Sequence, residues 1–138
     1  MPLTEWVLDT NVLINAALSA QGAPHQLVQQ VLQQGCPVFS EASFAELRSR
    51  LHRPKFDRYL SLDMREALLH DFGASARWVE PDAITAHCRD SDDDVFIATA
   101  LAVGLQCMVS GDKDLLQSPL PPGFRVLTPA QALKQFIS

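Results

Sequence analysis

Short apolar runs alternate along this chain with longer stretches in which apolar residues recur every third or fourth position. The first kind reads as buried strand and the second as amphipathic helix. Trp6 to Leu8, Val38-Phe39, Trp78-Val79, Cys107 to Val109 and Phe124 to Leu127 are five short strand candidates. Helical spacing covers Val12 to Leu18, Pro24 to Gln34, Glu41 to His52, Leu60 to Phe72 and Asp93 to Val103, and Thr128-Pro129 starts a last helix as cap followed by proline. In the second of these Leu27, Val28, Val31 and Leu32 share a face, and in the third Phe44, Leu47 and Leu51 do. Gly35, Pro54, Gly73 and Gly104 supply the stops. Strands alternating with helices predict an α/β fold, three layers about a central parallel sheet of four to five short strands. No repeat, linker or low-complexity tract interrupts the pattern, and 138 residues suit one domain, 1–138, with a sizeable core.

Four acidic residues stand at the boundaries of these segments. Asp9 follows Trp6-Val7-Leu8, and Ser110-Gly111-Asp112-Lys113-Asp114 follows Cys107-Met108-Val109 in the same layout. Ligands of open parallel sheets bind beyond the carboxyl ends of strands, so two strands that both run into Asp nominate one shared crevice. In Asp90-Ser91-Asp92-Asp93-Asp94 the acids suit a solvated helix start, favoured by the macrodipole, with Ser91 as cap and Asp94 three residues on. At roughly 100° per residue, Asp93 alone falls on the stripe of Phe96, Ile97 and Ala100, where an ionised carboxylate is costly unless a cation or strong donors meet it. Asp90 is left between surface and secondary site residue. Glu46 has two readings: the partner of Ser43 in a capping box, or, with Ser40 as the cap, an acid in the second helical turn.

Composition narrows the classes. At 47% hydrophobic and 20% charged residues the chain reads as an ordinary globular protein, and no apolar run approaches the roughly 18 to 20 residues of a membrane span. No basic leader with an apolar core opens it, so the expected compartment is the cytoplasm. Cys36, Cys88 and Cys107 lack paired spacing, which disfavours a disulfide framework or thiolate zinc site and suggests buried thiols. His25, His52, His70 and His87 show no metal-ligand spacing. A net charge of −5 runs against nucleic-acid binding, yet Arg48, Arg50, Arg53, Lys55 and Arg58 place five of the eleven basic residues just after Glu46. This segment is either a solvated face or a basic flank suited to nucleic-acid phosphates.

Val7-Leu8-Asp9-Thr10-Asn11-Val12-Leu13, Ser43-x-x-Glu46-Leu47, Asp93-x-x-x-Ile97-Ala98-Thr99-Ala100 and Val109-Ser110-Gly111-Asp112-Lys113-Asp114-Leu115 resemble, in order and spacing, the motifs of PIN-domain nucleases, in particular the VapC-type toxins of toxin-antitoxin pairs. The resemblance spans essentially the whole chain. It departs at Ser91, where the subgroup often has Pro, and at Asp94, where it often has Asn, so whether Asp94 adds charge to the site stays open.

The resemblance implies that Asp9, Glu46, Asp93 and Asp112 are catalytic and hold one or two Mg²⁺ or Mn²⁺ ions. Asp114 would be an additional outer carboxylate, and Asn11 and Ser110 neutral supports. It further implies endoribonuclease activity leaving 5′-phosphate and 3′-hydroxyl ends, a small antitoxin partner that covers the crevice, and a homodimer or higher homo-oligomer. Clustered carboxylates repel one another. A hard divalent ion relieves that repulsion, activates water and clamps phosphoryl oxygens, so no side-chain nucleophile is required. Two alternatives accompany this reading. One is a PIN module that binds RNA or a protein without turnover; the other is a phosphatase of the haloacid dehalogenase type, which needs an Asp-x-Asp nucleophile where this chain has Asp9 and Asn11.

Overall fold

The structure, a computed structural model, describes residues 4–81, 91–112, 115 and 120–136, and for 91–94 the backbone alone. Among the described residues there are five strands: β1 (Thr4–Trp6), β2 (Gly35–Phe39), β3 (Arg77–Trp78), β4 (Cys107–Val109) and β5 (Arg125–Leu127). β2 pairs in parallel with β1 and β3, and β4 pairs in parallel with β5. A parallel bridge from Leu8 to Val109 joins the two groups, with Val109 N–H donating to Val7 O and Asp9 N–H to Val109 O, both at 2.9 Å. The strand order is therefore β3-β2-β1-β4-β5, all parallel, and it reverses direction between β1 and β4.

The helices are α1 (Thr10–Leu18), α2 (Ala23–Gln34), α3 (Glu41–Leu51), α4 (Leu62–Ser75), α5 (Ser91–Ala102) and α6 (Pro129–Leu133). Their starts follow from local chemistry. The Thr128 hydroxyl accepts from Gln131 N–H with Pro129 as first helical residue, and Ser61 caps α4 through Met64 N–H. At the end of α5, Gly104 has φ +78° and Leu105 N–H reaches back to Ala100 O at 2.9 Å, a left-handed turn that a side chain would strain.

Side chains alternate across the sheet with period two and build one core on each face. Trp6, Leu8, Phe39, Val109 and Leu127 join α1 to α4 and α6 on one side, while Val7, Val38 and Met108 meet Phe96, Ile97 and Ala100 of α5 on the other. This is the three-layer α/β/α arrangement with a five-stranded parallel sheet. Several boundaries differ from those expected, among them β2, which begins at Gly35. α4 continues through Gly73 to Ser75, with Gly73 facing the rings of Phe44 and Trp78. β1 starts earlier, at Thr4, with Leu8 reduced to the bridge, and β3 is Arg77–Trp78. The thiols of Cys36 and Cys107 are free and half-buried, whereas full burial was expected; Cys88 and His87 lie outside the described residues. Among the described residues no helix is long and apolar enough to cross a membrane.

Candidate active site

Asp9 sits where β1 gives way to α1, at the point where the strand order reverses. Its backbone is extended (φ −63°, ψ 154°), and its carboxylate caps α1 by accepting from Thr10 N–H at Oδ1, 2.7 Å. The other oxygen, Oδ2, accepts from the Ser110 hydroxyl at 2.8 Å, across the seam between β1 and β4. That hydroxyl also accepts from Asp112 N–H at 3.0 Å. One donor and one of two acceptor lone pairs are thus used, so the buried Ser110 fixes Asp9 and the backbone of Asp112 in one geometry. Gly111 N–H makes a long contact of 3.5 Å to Asn11 Oδ1, a second tie between the two strand ends.

Burial dominates the electrostatics. Asp9 is 3% exposed, and desolvation pushes its carboxyl above the ordinary Asp value; the Ser110 and Thr10 hydrogen bonds and the charge of Arg50 oppose the shift, and the charge of Asp112 adds to it. A desolvated carboxylate under the charge of a second acid is an oxygen donor of the kind a hard cation takes, beside its role as the cap of α1.

Glu46 arrives from α3. Ser40 is the cap of that helix and Ser43 its capping-box partner, which settles the two readings of Glu46: it lies in the second turn, outside the cap. Ser40 also ties α3 to α5. The Thr99 hydroxyl donates to Val95 O at 2.7 Å, so the 2.9 Å contact between the two hydroxyls has Ser40 as donor. All three of Ser40, Ser43 and Thr99 are buried. Glu46 is ion-paired with Arg50, whose Nε donates to Oε1. Arg50 is accordingly half-buried at the acid site, while the other basic residues proposed with it, Arg48, Arg53, Lys55 and Arg58, are exposed. Arg48 lies over the Phe44 ring, Lys55 over Phe56 and Arg58 over Tyr59.

Asp93 lies in the first turn of α5; its side chain, and Asp90, Lys113 and Asp114 entirely, lie outside the described residues. Among the described residues no three His, Cys, Asp or Glu side chains form a metal-holding group. What the fold assembles from the described residues is Asp9, Ser110 and Asp112, directly linked, with Asn11 adjoining and the Glu46–Arg50 pair in electrostatic reach of Asp9. Sequence reasoning missed the Ser40–Thr99 tie, for which two isolated hydroxyls leave no signal. It also missed the ion pair of Arg50 with Glu46, although the i,i+4 spacing was legible.

The PIN domain model matches residues 5–114. This chain belongs to the PIN-domain family. The family is one of nucleases that typically use a divalent metal. The chain is 29% identical over 112 residues to the uncharacterized protein MJ1680 of Methanocaldococcus jannaschii, covering 80% of this chain and 72% of that one. In fold it is similar to PAE2754 from Pyrobaculum aerophilum, with a TM-score of 0.64, 16% identity and coverage of 97% of this chain and 96% of that one. It is also similar to a chain of VapBC2 from Rickettsia felis, solved bound to a DNA fragment from their promoter, with a TM-score of 0.59, 12% identity and coverage of 91% and 98%. This PIN domain carries Asp9, Glu46, Asp93 and Asp112 at the motif positions by which the sequence resembles the family.

Proposed function

We propose that this PIN domain is a Mg²⁺- or Mn²⁺-dependent endoribonuclease, a cytoplasmic toxin held in check by a small antitoxin and working as a homo-oligomer. The observation that carries the reading is the Ser110 bridge, which holds desolvated Asp9 and the backbone of Asp112 together at the reversal point of the sheet. The fold likeness to a chain of a VapBC2 assembly supports an antitoxin partner. Asp9, Glu46, Asp93 and Asp112, with Asp114 outside them, would hold the ion, and all of these donors are oxygen, as a hard divalent ion requires. When bound, the ion supplies charge neutralisation and activation of water for in-line attack on a phosphodiester.

The chain's own residues have separable tasks. Asp9 is pre-placed by Thr10 and Ser110, so its carboxylate needs no reorganisation on loading. Asn11 and Ser110 hold the two strand ends in register. Arg53, Lys55 and Arg58, exposed beyond the end of α3, would meet the RNA backbone and offset a net charge of −5.

The test is cleavage of RNA by the full chain with Mn²⁺ and, in parallel, with chelator, for the natural protein and for Asp9→Asn. Cleavage only with Mn²⁺ and only with Asp9 is expected. Binding of RNA without turnover under every condition would replace this reading by that of a silent PIN module. Family membership leaves the phosphatase alternative without support, and Asn11 offers no second acid for it.

A further inference from the structure

Pairs of Glu and Arg at i and i+4 are common on helix surfaces, where water screens them and their contribution is small. The Glu46–Arg50 pair differs in surroundings and in partner. Its side chains retain only 20% and 25% of their exposure, and the acid it occupies is one of the four proposed for the ion. The guanidinium also acts on Asp9, where its charge opposes the effect of burial. One cation supplied by the chain therefore serves two acids that come from different elements, α3 and the end of β1.

This arrangement bears on how metal enters. A guanidinium bonded to Oε1 of Glu46 takes up one of that carboxylate's acceptor sites, and its charge repels a dication approaching the same acids. We propose that Arg50 is the resident counter-ion of the acid site and competes with a divalent ion for Glu46, so that Arg50 limits how tightly the site takes metal. The inference rests on the metal-site reading above. Arg50 is here a positioning residue that acts through Glu46 and Asp9.

The experiment is a Mn²⁺ titration of the full chain without RNA, reading free Mn²⁺ by electron paramagnetic resonance, for the natural protein, Arg50→Gln, Arg50→Lys and Asp9→Asn. Arg50→Gln is expected to bind Mn²⁺ about tenfold more tightly, the loss of one partly screened charge beside the ion. Arg50→Lys keeps the charge and should stay near the natural affinity. In chelator Arg50→Gln should melt lower than the natural protein and regain more on adding Mn²⁺, whereas a merely structural Arg50 would lower melting without tightening the metal. Should Arg50→Gln not fold, Arg50→Met keeps the apolar stem and carries the same comparison. Equal or weaker Mn²⁺ binding by the charge-free variant overturns the proposal while leaving the metal site standing. If the natural protein binds no more Mn²⁺ than Asp9→Asn does, the metal-site reading has failed and takes this inference with it.

Discussion

Replacing Asp9 by Asn keeps the size of a buried side chain and removes its charge, so the variant weighs desolvation directly against hydrogen bonding. The carboxylate accepts two hydrogen bonds, from Thr10 N–H and the Ser110 hydroxyl. Asn can still accept the first; the second changes polarity, because Ser110 must then accept from an amide as well as from Asp112 N–H, and a net loss of about 1 kcal/mol is expected. Against it stands the burial of an ionised group at 3% exposure, which outweighs the two hydrogen bonds and Arg50 together, since the carboxyl is raised on balance.

An Asp raised on folding holds its proton more tightly in the native than in the unfolded state. Its contribution to stability is fully present below the ordinary value of 3.8 and is lost as pH rises through the higher folded value. At neutral pH in chelator, Asp9→Asn should therefore be as stable as the natural protein or up to about 2 kcal/mol more so, roughly 3 °C in Tm per kcal/mol for a domain of this size. The assay is urea and thermal unfolding at neutral pH and near pH 4. With excess Mg²⁺ the order should reverse, because a ligand at a hundred times its Kd adds about 2.7 kcal/mol to the protein that binds it. A variant destabilised by more than about 2 kcal/mol at neutral pH in chelator, or a difference that does not shrink toward acid, would refute the reasoning.

Three further outcomes are expected. Ser110→Ala should cost about 1–3 kcal/mol in chemical denaturation, because it strips a hydrogen bond from buried Asp9 and the Ser110 acceptor from Asp112 N–H; a neutral effect would remove Ser110 as the bridge. Ser40→Ala should cost about 1–2 kcal/mol through the lost cap of α3, and its metal affinity should fall with it as Glu46 loses its fixed place, so an unchanged Mn²⁺ titration would separate α3 from the site. Reversing Arg53 and Lys55 to Glu should weaken RNA binding and flatten the slope of log K against log salt by about 1.4 or more, near 0.7 for each single-strand phosphate that is no longer neutralised; an unchanged slope takes this segment off the RNA path.

Much was legible in the order of residues because it depends on local chemistry. Short apolar runs and three-to-four spacing mark strands and helices wherever the chain goes, and Thr128-Pro129 and Gly104 set boundaries that need only neighbouring backbone groups. The acids were nominated the same way, since Asp9 and Asp112 each follow a buried run. Tertiary structure decided what required residues distant in sequence to meet. That Ser110 lies within 2.8 Å of Asp9 depends on β4 taking the free edge of β1, a choice that no local propensity encodes. Gly73 is not a stop for the same kind of reason: its helix runs on to Ser75 in a place set by its neighbours Phe44 and Trp78, which come from other elements. Arg50 became the partner of half-buried Glu46 within electrostatic reach of buried Asp9 once α3 was seated against the sheet, because charge is a property of the residue but its dielectric surroundings belong to the fold.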